Sequence, residues 1–165
     1  IAIKAAQTGH MVLSTLHTND APTTITRLQN MGVKSFNIAS AVILITAQRL
    51  TRRLCTCKIP VKYSDDSLRK VGFTDADIAD RCQLYGPKEG GCERCRNAGY
   101  KGRVGIYQVM PISNEIRRLI LEEGNAMDIE AQSLKEGIKT LRMSGIIKVK
   151  QGLTSLEEIE AATNA

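Results

Sequence analysis

Apolar positions along this chain recur mostly at helical spacing, broken by short stretches in which they run together or alternate. Residues 1–7 read as helix, and Gly9, which readily takes the left-handed conformation of a helix stop, ends it. Met11, Val12 and Leu13 open an apolar and β-branched run over 11–15 that reads as a short buried strand. Asp20 suits the cap of a helix over 21–31, Pro22 falls in its first turn, and Ile25, Leu28 and Met31 share one face before Gly32. Ser35 is the expected cap of the next helix, whose Phe36, Ile38, Val42 and Ile43 predict burial all round. Over 48–55 the pattern shifts toward alternation, predicting a strand with Arg49, Arg52 and Arg53 on a basic face or a solvated edge. A polar stretch follows, in which Ser64 and Thr74 each look like a helix cap; Gly86, Pro87, Gly90 and Gly91 then make a loop. A tight basic turn at 99–103 leads into a third strand over 104–110. After Pro111, Ser113 caps a helix carrying Ile116, Leu119 and Ile120, and the rest is helical over 127–136, 139–150 and 155–162. Gly124, Gly137 and Gly152 separate these helices.

With 165 residues, 42% hydrophobic and 24% charged, the composition is that of a globular chain. Only 4% is aromatic and Trp is absent, so the core must be aliphatic. The formal charge of +6 suits phosphate ligands, acidic partner faces or anionic lipid. No apolar run approaches the roughly 18 residues a transmembrane helix needs. No signal-peptide pattern opens the chain, which starts as if inside a helix; it is expected to be a piece of a longer protein.

Five cysteines, an odd number set in close pairs, point to thiols and a metal in a reducing compartment rather than to disulfides. Cys55-x-Cys57 and Cys92-x-x-Cys95 bracket the polar stretch, and two turns that each offer a pair suit tetrahedral Zn2+; free thiols are the alternative. The first pair is one residue tighter than the usual spacing. The polar stretch is expected to lack an apolar core of its own, so the metal would staple it, and Cys82 is expected to be a plain thiol.

The only histidines, His10 and His17, flank the apolar run, and His17-Thr18-Asn19-Asp20 stands directly before a helix start. Taken alone, either residue reads as a structural histidine, and their spacing is no metal spacing. Polar residues between a strand end and a helix N-terminus are nevertheless where α/β proteins place ligands.

Read as one string, Thr8-Gly9-His10 through Leu16-His17-Thr18-Asn19-Asp20 resembles the histidine box of the hexameric ATPases of type II secretion and type IV pili. Residues 48–55 resemble that family's strand into its metal lobe, and residues 99–110 resemble the pilus assembly branch more than the secretion branch. The resemblance covers nearly the whole chain and implies an α/β fold. Residues 1–54 would be the C-terminal half of a RecA-like ATPase core, 55–98 a tetracysteine zinc-binding insertion, 99–111 a strand returning to the core, and 112–165 an α-helical C-terminal subdomain. The family usually has Cys-x-x-Cys in both halves of the metal motif, so the first pair here departs from it. The resemblance further implies a homo-hexamer that hydrolyses ATP with Mg2+ to drive pilus assembly. It would work in the cytoplasm at the inner-membrane face, held there by an inner-membrane pilus platform protein, and would bind no nucleic acid. His17 would sense the γ-phosphate or position water, and His10 would support the turn. The family's phosphate cradle and acidic Walker B strand are not among these residues, so the chain by itself is expected neither to bind ATP tightly nor to hydrolyse it. Three other readings stand beside this one: a type II secretion ATPase, a docking module for a membrane platform, and a stand-alone zinc module binding nucleic acid. The last would use Arg49, Arg52, Arg53, Arg94, Arg96, Lys101 and Arg103, but only Tyr100 lies near for base stacking.

Overall fold

The computed structural model describes residues 1–164, a mixed α/β chain that divides into two compact units. Strands β1 (Leu44–Leu54) and β4 (Tyr100–Pro111) pair in one two-stranded sheet, and β2 (Ile59–Val61) and β3 (Leu84–Gly86) pair in another. Two of the three predicted strands are thus present but longer: β1 starts at Leu44, and β4 starts at Tyr100, inside the residues expected to form a turn. Among the described residues no helix is long and apolar enough to cross a membrane.

The first unit comprises Ile1–Ala47 and Gln108–Thr140. It holds α1 (Ala2–Gln7), α2 (Ala21–Asn30), α3 (Ser35–Ala41), α6 (Asn114–Leu121) and α7 (Ala126–Lys135). Ile25, Ile38, Met110, Ile116, Ile120 and Ile129 are fully buried at its centre. Helix α6 contributes two of them because Ile116 and Ile120 stand one turn apart, and the Ser113 hydroxyl accepts from the Ile116 N–H at 3.1 Å to start that helix. The Arg117 guanidinium donates to the Ala39 carbonyl at 2.8 Å, closing the end of α3.

Three expectations fail in this unit. Residues 11–15 join neither sheet, and Met11 and Leu13 are each 87% exposed; a strand needs a partner edge, and none of the described strands supplies one. Ser35 does not cap α3 but lies within it, and its hydroxyl accepts from Gln29 Nε2 at 3.2 Å instead. Helix α3 is not buried all round: Phe36 is 57% exposed, and Ile43 lies beyond the helix end and is 76% exposed. So short a helix turns a single face, with Ile38 and Ala39, to the core.

The second unit comprises Gln48–Tyr107 and the chain from Leu141 onward, with α4 (Asp65–Val71), α5 (Asp75–Ala79), α8 (Leu141–Lys150) and α9 (Leu156–Thr163). In the antiparallel β2–β3 pair, Pro60 faces Tyr85. The polar stretch between the cysteine pairs does have apolar inner positions: Leu68, Val71, Phe73 and Leu84 are all buried. They are scattered among charges, and this stretch meets a helix far away in sequence, where Arg142 of α8 donates to the Val71 carbonyl at 3.4 Å. Gly72 lies within 3.6 Å of the Ile146 side chain of α8, measured from where a Cβ would stand. At Gly145 of α8 a Cβ would lie 2.7 Å from Ile159 of α9, so that helix crossing requires glycine.

Candidate metal centre and histidine loop

Cys55 follows the last residue of β1 and donates its N–H to the Gly99 carbonyl at 3.0 Å. Cys92 and Cys95 stand at either end of a single 3-10 turn. These two loops bring the sulfurs of Cys55, Cys57, Cys92 and Cys95 together, all within 4.8 Å of one another. The nearest separations are 3.7 Å for Cys92–Cys95, 3.8 Å for Cys55–Cys92 and 4.0 Å for Cys57–Cys95. Four sulfurs at about 2.3 Å from one tetrahedral Zn2+ lie about 3.8 Å apart, so the cluster fits that ion. The one-residue spacer between Cys55 and Cys57 is no obstacle, because both sulfurs reach the second pair. Cys82 lies outside the cluster.

The loops also tune the thiols. Burial pushes the Cys95 thiol up, but the N–H groups of Cys92 and Gly99, at 3.1 and 3.2 Å from its sulfur, outweigh this and hold it at about 6. The amide of Cys57 lowers the Cys55 thiol, whereas burial and the neighbouring sulfurs push Cys57 up to about 12. Four thiolates this close repel one another, and a soft divalent cation removes that penalty. The turn is built for close approach: Arg96 and Asn97 both take positive φ, at 51° and 63°, and wrap back over Gly91.

The histidines belong to the first unit. His10 is exposed and tied to the end of α1, with its N–H on the Ala5 carbonyl at 3.2 Å and Nδ1 3.1 Å from the Thr8 hydroxyl. His17 is exposed, and among the described residues its imidazole has no hydrogen-bond partner. Behind it the chain is fastened closely. The hydroxyls of Thr18 and Thr24 lie 2.8 Å apart, and the Asp20 carboxylate accepts the Thr23 N–H at 2.8 Å. The Ala21 N–H donates to Gln108 Oε1 at 3.0 Å. Gln108, a buried residue behind this loop, was not expected from the sequence; its only signal was a polar amide at an inward position of an alternating strand. No hydrogen bond among the described residues joins His10 to His17. The fastened loop leaves one imidazole at a helix start, free to donate to an anion or hold a water. Of the arginines on the basic strand, Arg52 is used internally, bonded to Glu158 at 2.6 Å and stacked over the Tyr100 ring at 4.2 Å.

The sequence pattern of the family described as Type II/IV secretion system protein matches residues 1–161. The chain is 56% identical to the type IV pilus assembly ATPase PilB of Acinetobacter baylyi, over 99% of this chain and 28% of that protein. It is 53% identical to the PilB of Pseudomonas aeruginosa, with the same coverage of each chain. It is 38% identical to the type II secretion system protein E of Dickeya dadantii, over 99% of this chain and 31% of that protein. The chain spans less than a third of the length of these relatives.

Proposed function

From the premise that this chain belongs to the type II/IV secretion system protein family, we propose that it is the C-terminal part of a motor ATPase that powers type IV pilus assembly. One observation carries the choice of branch: identity is 56% to a pilus assembly ATPase and 38% to a type II secretion protein over the same residues. In this reading residues 1–54 complete a RecA-like core, residues 55–98 form a zinc lobe, residues 99–111 return to the core, and residues 112–165 are an α-helical subdomain. The whole protein works as a homo-hexamer with ATP and Mg2+, in the cytoplasm at the inner membrane, docked on a platform protein of the pilus machinery. Zn2+ on Cys55, Cys57, Cys92 and Cys95 supplies a structural crosslink and no chemistry, since protein sulfur fills all four positions.

His17 is the proposed catalytic contact, with His10 holding the turn that leads to it. Phosphoryl transfer depends on positioning and on stabilising charge at the γ-phosphate, and an unengaged imidazole can donate there or orient the attacking water. The test is His17→Ala in the full-length hexamer. ATP affinity and melting temperature should stay near wild type, while kcat falls roughly ten- to a thousand-fold. An unchanged kcat, or a joint loss of stability and affinity, would reject the role. The gene should also restore pili to a strain lacking its pilus assembly ATPase; failure to do so with a folded, expressed protein would remove the branch assignment.

A further inference from the structure

We propose that Gln108 is a positioning residue for His17, fixing the first turn of α2 and so the direction in which the imidazole faces; this rests on the sensing role given to His17 above. Gln108 is 2% exposed and sits on β4 between Ile106 and Met110, both wholly buried. An amide in such an apolar layer is unfavourable unless it is paired. The partner of its carbonyl oxygen is the N–H of Ala21, 87 residues away in sequence and the first residue of α2. The opening N–H groups of a helix have no partner within the helix, and here a strand supplies the acceptor for one of them.

The three fastenings behind His17 are not equivalent. Thr18 with Thr24, and Asp20 with Thr23, hold the loop to its own helix. Gln108 holds that helix start to a different element. On the other side of His17 the chain is solvent-facing, with Met11 and Leu13 almost fully exposed. The imidazole therefore stands just before a helix start that the burial of Ala21, Pro22 and Ile25 seats in the core and that one side-chain oxygen from β4 orients. Packing alone does not require glutamine, because Met110, two residues on and on the same buried face, shows that the strand accepts an unbranched apolar side chain of similar length.

The experiment uses the full-length hexamer and compares Gln108→Met, Gln108→Glu, His17→Ala and the double variant His17→Ala/Gln108→Met. Gln108→Met keeps the volume and removes the acceptor. It should lower kcat by about tenfold or more with KM for ATP within about twofold, as expected when only transition-state contacts suffer. Gln108→Glu keeps an acceptor for Ala21 and should hold kcat within about threefold of wild type; a loss as large as that of Gln108→Met overturns the proposal, and this variant decides the matter should Gln108→Met fail to assemble. The double variant should be no slower than His17→Ala alone, because a residue that acts through another loses its effect with it. Losses that multiply would overturn the proposal and make Gln108 a merely structural residue. An unaltered kcat in His17→Ala rejects the role of the histidine itself, whereas a slow His17→Ala beside an unaltered Gln108→Met rejects that of Gln108 alone.

Discussion

Gly91 sits where no side chain fits. A Cβ would lie 2.5 Å from the Asn97 carbonyl carbon and 2.8 Å from the Cys95 sulfur, and its φ of +52° is already unfavourable for any other residue. Gly91→Ala should therefore push the second cysteine pair away from the first and weaken metal binding by about ten- to a hundredfold. Competition against a chromophoric chelator measures this. Gly90→Ala, which meets nothing within 4 Å and suffers only from its φ of +68°, should lose much less, and equal losses in the two variants would remove the steric explanation. At this scale the sequence was most legible where a residue acts on its near neighbours. The caps Asp20, Ser64, Thr74 and Ser113 all accept an N–H three residues on, as their residue type and place foretold. The tight cysteine pairs likewise announced themselves by spacing. Gln108 did not, because its partner is 87 residues away and nothing local marks it.

Among elements, the second unit is pinned by carboxylates. Lys150 of α8 meets Asp77 at 2.9 Å and Asp80 at 3.1 Å, and Tyr63 donates to Glu157 of α9 at 2.7 Å. The Lys150 ammonium, helped by Thr74, holds the Asp77 carboxyl below its ordinary value of 3.8. Burial pushes Glu157 and Glu158 up, but the Tyr63 hydroxyl and the Arg52 guanidinium outweigh it, leaving both below 4.5. All three carboxyls thus bind a proton less readily in the folded chain than in the unfolded one. Their contribution is fully present above pH about 4.5 and is lost as pH falls through that value toward the lower folded-state values. Asp77→Asn should flatten this loss, by about 1 kcal/mol between pH 6 and pH 3 after allowing for solvent screening. Urea unfolding across that range checks it, and an unchanged slope would mean the pair contributes nothing. Elements were legible in the sequence where their own periodicity decides them, as in α6. They were illegible where pairing decides: an apolar run at 11–15 signals a strand only if an edge waits for it, and the described strands offer none.

At the level of the whole molecule, metal removal should act more widely than the spacing of the cysteines suggested. The purified protein should carry one Zn2+ per chain, and less than about 0.3 by elemental analysis, without chelator, would count against the site. Because the stretch around Val71 and Gly72 lies against Arg142 and Ile146 of α8, stripping the ion should raise amide exchange in residues 55–99 and also in α8 and α9, while the first unit keeps its protection. Exchange confined to residues 55–99 would show instead that the lobe is held independently. The second unit is closed by bonds from its early residues to its last ones: Leu54 N–H to the Leu153 carbonyl, Lys58 to the Gly152 carbonyl, Tyr100 to Ser155 and Arg52 to Glu158. During synthesis the early side of every one of these contacts leaves the ribosome well before its partner. The thiols therefore emerge before the helices that complete their surroundings, and the unit closes only once α8 and α9 have followed, a folding step timed by translation rather than by local propensity.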